Sequence, residues 1–235
     1  MEKRKFIYEG KAKRLYETDD ADLLIQEFKD DATAFDATKR GTIMGKGVVN
    51  NTLSEKIFKV LSKKGIPTHF VKRLNDRDML VKRVKIVPIE VTMRNIVAGG
   101  MAKLLGLEEG IVLKMPVLEY HYKEDKLHDP LVNDYHILAL DIATAKELDV
   151  IKKYSFKINE ALSDFFDSKG LILVDFKLEF GAFKGKIILA DEISPDTCRL
   201  WDKTTKEKLD KDRFRRDLGN VEEAYQEVLR RVMSK

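Results

Sequence analysis

The sequence predicts an α+β fold in two lobes: a β-rich first lobe over residues 1–87 and a mixed α/β second lobe over residues 88–235. Three observations lead there. Short alternating runs separated by turn residues fill the first lobe around a single helical pattern. A long helical stretch opens at Thr144 with Glu147 three residues on, the signature of a capping box. A hairpin of two alternating runs then occupies residues 171–191.

Taken in order, residues 6–17 read as strand, turn and strand, with Gly10 at the bend of Glu9-Gly10-Lys11-Ala12-Lys13-Arg14. Residues 23–28 form another strand, bounded by Asp30-Asp31. Over 48–64, Val49, Leu53, Ile57, Val60 and Leu61 share one helical face, and Gly65 and Pro67 end that helix. Residues 68–74 and 79–87 are further strands, and Pro88 separates the second of them from a strand over 89–93 that opens the second lobe. A short helix over 102–105 is closed by Gly106, and 116–133 is irregular, rich in aromatics and charges. The long helix from Thr144 carries an apolar stripe of Leu148, Ile151, Ile158, Leu162 and Phe165 and stops at Gly170. The hairpin turns at Gly181–Gly185, and two helices over 212–218 and 221–233 complete the chain. There is no internal repeat and no low-complexity linker.

The composition is globular, with 43% hydrophobic residues in 235. Charged residues reach 36%, above the roughly 25% usual for soluble domains. The 44 basic and 40 acidic residues leave a net charge of only +4, which argues against a nucleic-acid partner, and no basic block interleaves with aromatics. A single cysteine, Cys198, excludes an internal disulfide and has no His–Asn/Asp arrangement to make it a nucleophile. No signal peptide is visible, and the longest apolar run, residues 171–174, is far short of the ~20 residues of a membrane helix. A soluble cytoplasmic protein is expected.

The densest chemistry lies in the hairpin. Asp175, Lys177 and Glu179 alternate with Phe176, Leu178 and Phe180, so one face of the strand is charged and the other apolar. Mixed charges beside a second acidic cluster suggest a metal–phosphate site, although a solvated strand face has the same alternation. Asp175 and Glu179 are roughly 13 Å apart along a strand, too far to share one Mg²⁺. Asp191 returns on the partner strand, so Glu179 with Asp191 is the better metal pair. Lys177 is one same-face step from both Asp175 and Glu179. The order Asp-x-Lys, metal-binding residue, second Asp is analogous in arrangement to the protein-kinase catalytic segment, without its preceding His-Arg or its following Phe-Gly.

Elsewhere, Gly10-Lys11-Ala12-Lys13 could cover a triphosphate or be a solvated basic turn. Residues 41–47 (GTIMGKG) are one residue short of a Walker sequence and lack its Ser/Thr, so they read as a glycine-rich approach to the helix. Arg94 before Gly99-Gly100 and a short helix fits a phosphate site or a plain turn. Asp196 and Arg199 follow Ser194-Pro195, where Arg199 could grip a carboxylate or phosphate or pair internally with Asp196. The four histidines have no metal spacing with cysteine.

VPIEVTMRNIVAGG (87–100), LVDFKLEFG (173–181) and ADEISPDTCRLWD (190–202) resemble motifs of the SAICAR synthetase family. YEGKAKRLYE (8–17) and DKDRFRRDLG (210–219) resemble it too, in the same order along nearly the whole chain. The resemblance implies a two-lobed α+β fold with a kinase-like N-terminal lobe. It implies ATP-dependent joining of L-aspartate to the carboxylate of carboxyaminoimidazole ribonucleotide (CAIR) through an acyl phosphate, giving SAICAR, ADP and phosphate in de novo purine biosynthesis. ATP and Mg²⁺ are the implied cofactors, the partners are these small molecules, and a homo-oligomer is implied, with a dimer favoured. By the same resemblance, Glu179 and Asp191 would hold Mg²⁺. Lys11, Lys13 and Lys123 would take the ATP phosphates, and the backbone over 83–87, at Ile86, would face adenine. Arg94, Gly100 and Arg199 would take the nucleotide substrate's phosphate, with Arg215 a further anion contact. Asp175 and Lys177 would be catalytic, and with Asp36 and Asp196 would hold the imidazole substrate, its metal, or the incoming aspartate. One position departs: the family usually has Ser where this chain has Gly100, which removes a hydroxyl and leaves the backbone amide and Arg94. A small-molecule kinase and a non-catalytic nucleotide sensor are the competing functional classes.

Overall fold

The computed structural model describes residues 1–34 and 38–234 and has the expected α+β architecture. In the first lobe β1 (Phe6–Glu9), β2 (Lys13–Glu17), β3 (Leu23–Phe28), β6 (Phe70–Arg73) and β7 (Asp78–Lys82) form an antiparallel sheet in the order β1-β2-β3-β7-β6. A small ribbon of β4 (Asp31–Ala34) and β5 (Lys39–Thr42), absent from the sequence expectation, leads into α1 (Lys46–Lys63). Helix α1 has no cap from its own N-cap residue, Gly45. Asp30 caps it from a distance instead: its carboxylate accepts from the amides of Gly47 (2.9 Å) and Gly45 (3.3 Å) and is gripped by both ends of the Arg77 guanidinium, each at 2.8 Å. Asp30-Asp31 therefore does more than bound a strand.

The second sheet runs β10-β9-β8-β11-β12, with β13 also on β11; its strands are β8 (Lys85–Ile96), β9 (Val112–Tyr122), β10 (Leu131–Val132), β11 (Leu171–Phe183), β12 (Lys186–Ala190) and β13 (Cys198–Asp202). The helices α2 (Gly99–Leu105), α3 (Asp134–Ala139), α4 (Ala145–Asp167), α5 (Asp212–Arg215) and α6 (Val221–Met233) connect or cover it.

Pro88 does not break the strand it was expected to end, and Pro116 lies inside a strand rather than an irregular stretch. β8 runs through Pro88 without interruption, and the change of sheet falls at Arg83–Val84 instead. The β8–β11 register shifts between Glu179 and Gly181, so Pro88 lies opposite an irregularity, where its missing N–H costs no ladder bond; its carbonyl still accepts from the Lys123 amide at 3.1 Å. Pro116 lies within β9 by the same device, since the β8–β9 register shifts between Arg94 and Ile96. The stretch read as irregular, 116–133, is thus strand over 116–122 and 131–132, with a short 3-10 turn between. In contrast, Thr144 and Glu147 form the expected reciprocal cap, at 3.2 and 2.9 Å, and α4 buries Leu148, Ile151, Ile158 and Leu162 as its stripe requires.

β11 is the axis of the second sheet. One edge pairs with β8; the other is divided, with residues 171–176 on β13 and residues 179–183 on β12. The chain between those two strands crosses at the division, where the Lys177 amide donates to the Thr197 carbonyl at 2.8 Å. The apolar face of β11 is fully buried at Phe176, Leu178 and Phe180. Each such burial contributes about 1.5–3 kcal/mol, which holds the strand while its other face carries charge. Both lobes share one continuous buried cluster, from Leu24, Val49 and Phe58 to Leu162, Phe176 and Val228. The lobes are also stitched directly, through His69 N–H to the Leu189 carbonyl at 2.8 Å. Among the described residues, no helix is long and apolar enough to cross a membrane.

Replacing Thr144 by Ala removes the hydroxyl half of the α4 cap, which accepts from the Glu147 amide, and is expected to lower stability by about 1 kcal/mol. A urea titration checks this: the midpoint should fall with the slope unchanged, and an unshifted midpoint would deny the cap any net role.

Candidate active site

The charged face of β11 is divided between two clusters with Lys177 between them. At the β13 end, Asp175 is 3% exposed and is gripped from both neighbouring strands. Arg94 of β8 donates from Nη1 at 2.6 Å, and Arg199 of β13 donates from Nη1 at 2.8 and 3.0 Å to the two carboxylate oxygens. Both arginines stand opposite Asp175 in the strand register, so the sheet itself delivers the arrangement. Each Nε has its own carboxylate: Glu119 of β9 for Arg94 and Asp212 of α5 for Arg199, both at 2.9 Å. Asp212 also accepts from Arg215 at 2.6 Å. Acid and arginine therefore alternate across the sheet as Glu119, Arg94, Asp175, Arg199, Asp212 and Arg215.

That row has a directional consequence. Nε and Nη1 of both arginines are engaged, leaving each Nη2 toward Gly99-Gly100 at the start of α2. A Cβ built on Gly99 would lie 2.4 Å from Arg199 Nη2, and one on Gly100 would lie 3.7 Å from Arg94 Nη2. Gly99 also has φ +53°, so both its backbone and its neighbour demand glycine. The two forks and the glycine backbone make a cationic cradle of the kind that grips a phosphate or carboxylate.

At the β12 end, Glu179 pairs with Ala190 across the hairpin, which brings Asp191 to its side. Asp191 adopts φ +61°, turning the chain out of the strand. Lys123 caps Glu179, and Lys13 of β2 reaches over from the first lobe to Asp191 and, at 2.7 Å, to Glu192. Burial and the Asp191 charge push the Glu179 carboxyl above its ordinary value. Burial opposes ionisation of Asp191 as well, but Lys13 and Lys123 outweigh it and hold that carboxyl below its ordinary value. Burial alone would depress the Lys13 ammonium, yet Asp191 and Glu192 raise it well above the usual range. Lys11, two residues before Lys13, meets Asp125 across the lobes at 3.0 Å. Ile86 is 38% exposed in β8, opposite Gly181. Lys177, 47% exposed at its side chain, pairs with Glu90 at 2.5 Å.

The donor chemistry of Glu179 and Asp191 fits Mg²⁺. They are hard oxygen ligands, one on β11 and one just past the end of β12, and Mg²⁺ takes one or two carboxylates and completes its shell with water and phosphate. Among the described residues there is no cluster of three or more His, Cys, Asp and Glu of the kind that cages a metal by protein alone.

Asp196 has ion-pair and hydroxyl partners of its own. It accepts from Lys46 at 2.7 Å and from the Tyr225 hydroxyl at 2.6 Å, with Lys46 and Tyr225 both fully buried. Burial opposes its ionisation, but Lys211 and Lys46 hold its carboxyl well below the ordinary range. Arg199 pairs with Asp175 and Asp212 rather than with Asp196. Asp36 lies outside the described residues. Cys198 is buried, and burial pushes its thiol far up, consistent with an inert side chain.

Sequence reasoning overlooked Glu119, Glu192, Asp212 and Lys46. Glu192 and Asp212 lie inside the recognised motifs; Lys46 is the lysine of the run that falls short of a P-loop. Nothing local marked Glu119, because β9 had been read as irregular.

Comparison with known proteins agrees with this picture. The SAICAR synthetase family model matches residues 6–232. The phosphoribosylaminoimidazole-succinocarboxamide synthase of Caldanaerobacter subterraneus subsp. tengcongensis is 62% identical over 232 residues, 99% of each chain. The solved synthase from Ehrlichia chaffeensis is 48% identical and superposes with a TM-score of 0.96, over 97% of this chain and 98% of its own. A SAICAR synthetase solved in complex with ADP is 50% identical with a TM-score of 0.95, over 98% of both chains. The chain is therefore an enzyme, a ligase of purine biosynthesis. It belongs to the SAICAR synthetase family.

One buried group beside the site sets a pH response. His69 is enclosed between the lobes, and burial pushes its pKa down to about 4. Between about pH 6.5 and 4 the unfolded chain binds a proton that folded His69 refuses, so this group makes stability fall as pH falls. Asp210 works the other way: burial and Asp212 push its carboxyl up to about 7, so the folded chain retains a proton and stability falls as pH rises through the same window. His69→Gln should remove the His69 contribution and leave those of Asp210 and of the carboxylates held low by cationic partners, such as Glu109 and Glu119. Between pH 6.5 and 4 the wild-type and variant profiles should diverge by about 3 kcal/mol in denaturant titrations; parallel profiles would contradict a buried neutral His69.

Proposed function

We propose that this enzyme activates the carboxylate of CAIR with ATP and joins it to the amine of L-aspartate, giving SAICAR, ADP and phosphate. The observation that carries the reading is the pair of phosphate-suited clusters on one face of β11, with Lys177 between them. A carboxylate is a poor acyl electrophile because its leaving group would be oxide. Phosphoryl transfer to it gives an acyl phosphate, and attack by the aspartate amine then expels phosphate. The protein's task is to align two anionic nucleotides and offset their charge.

In this reading the first lobe (residues 1–87) brings ATP to the second (residues 88–235). The solved ADP complex of a 50% identical relative supports nucleotide binding by this fold. Lys11, Lys13 and Lys123 hold the phosphates, and the backbone at Ile86 faces adenine. Glu179 and Asp191 hold Mg²⁺, which when bound draws the terminal phosphates into a fixed pose and offsets their charge. Arg94, Arg199 and the Gly99-Gly100 backbone hold the CAIR phosphate, with Arg215 supporting Arg199 through Asp212. Asp175 acts by fixing the two arginines. Lys177, the exposed cation between the clusters, is the group suited to the reacting carboxylate and the phosphoryl oxygens. Asp196, sequestered by Lys46 and Tyr225, orients the loop before Arg199 rather than meeting solvent.

Incubation with CAIR, ATP and Mg²⁺ should give amide and stoichiometric ADP only when aspartate is present, with the product identified by mass. A stable phosphorylated product without aspartate would favour a kinase. Asp191→Asn should lower turnover by orders of magnitude while leaving the fold intact; near-normal rates at ordinary Mg²⁺ would remove Asp191 from the metal site. Arg199→Lys keeps the charge but loses the planar fork. It should raise the KM for CAIR at least about tenfold and leave that for ATP unchanged, and an equal change in both would relocate Arg199.

A further inference from the structure

Lys13 of the nucleotide cluster has two carboxylate partners, Asp191 and Glu192. They differ in burial: the Asp191 side chain is 25% exposed, whereas that of Glu192 is 2% exposed. They differ also in anchorage. Glu192 gives one oxygen to Lys13 at 2.7 Å and accepts from the Ser194 hydroxyl on the other at 2.6 Å. The same hydroxyl accepts from the Asp196 amide at 3.1 Å, and Asp196 is pinned by buried Lys46 at 2.7 Å. Glu192 is thus the end of a fixed chain running from α1 through the loop between β12 and β13 to the lysine of the first lobe.

We propose that Glu192 is a positioning residue that aims Lys13 at the nucleotide's phosphates. The proposal rests on the nucleotide-binding reading above. With Asp191 engaged by Mg²⁺, Glu192 is the carboxylate left to hold Lys13. It orients the ammonium, whose remaining two N–H donors can then face phosphate oxygens. Because Lys13 comes from the first lobe and Glu192 from the second, the pair also fixes how β2 sits over the site.

Calorimetric titration of the full chain with Mg·ADP and with phosphate-free adenosine tests it. Glu192→Gln should weaken Mg·ADP at least about tenfold while adenosine affinity stays within about twofold, because the lost ion pair acts on phosphates alone. In a Lys13→Met background the same substitution should cost Mg·ADP affinity nothing further. A generally loosened structure would weaken both ligands alike, and that result, or undiminished Mg·ADP binding by Glu192→Gln, overturns the proposal. Should thermal melting show that Glu192→Gln does not fold, Ser194→Ala decides: it removes the hydroxyl that anchors Glu192 while leaving the carboxylate in place, and selective loss of Mg·ADP affinity supports the proposal while its absence overturns it. Failure of the wild-type chain to bind Mg·ADP is a separate result and overturns the nucleotide reading itself.

Discussion

The site depends on one carboxylate held by two arginines. Asp175 is almost wholly buried on the central strand, and a lone buried carboxylate would cost several kcal/mol. It is tolerated because Arg94 and Arg199 reach it from both flanking strands. The dependence is mutual. Two guanidiniums this close would repel and turn away from one another without a negative charge between them. Such buried pairs add little net stability; their value is orientation. The apolar side of β11 supplies the stability, through Phe176, Leu178 and Phe180, so the charged side is free to be arranged for chemistry.

The same logic extends to the second cluster with a different partner. There the carboxylates outside are met by lysines: Lys123 on Glu179, Lys13 on Asp191 and Glu192, and Lys11 on Asp125. Lysine is a point charge on a flexible stem, whereas arginine is a rigid fork. Lysines can exchange a carboxylate for a phosphate with small movements, which suits a ligand that arrives with its own cation. The arginine cradle is rigid by comparison, locked at Nε and Nη1 with one nitrogen left over. The two clusters thus differ as the two ligands of the proposed reaction differ.

Much of this was legible in the sequence because it is local. The alternation of residues 175–180 has only one structural meaning on a strand, and the Thr144–Glu147 cap needs four residues to specify. The hairpin brought Glu179 and Asp191 together without knowledge of its register. What stayed hidden depends on partners distant in sequence. Asp30 caps a helix it does not belong to; Arg77, 47 residues on, completes that cap. Pro88 looks like a break, and the stretch from Pro116 like irregular chain, until the shifted registers opposite them are known. Arg199 and Asp196, three residues apart, could have paired; the strand register instead gives Arg199 to Asp175, and Lys46 takes Asp196.

Burial separates the charges of the site into those that fix and those that act. Asp175, Asp212 and Glu192 are sequestered, each satisfied by two or more partners, and moving any of them would strand another charge in a medium of low dielectric. Lys177 and Lys123 keep part of their surface in water with a single carboxylate partner each, so a substrate anion can displace that partner at small cost. Preorganised charge is most effective when its own reorganisation during reaction is small. A frame of buried ion pairs around a few exchangeable cations meets that condition. It also explains why such a charge-rich strand lies at the centre of the sheet, where both neighbours can hold it, rather than at an edge.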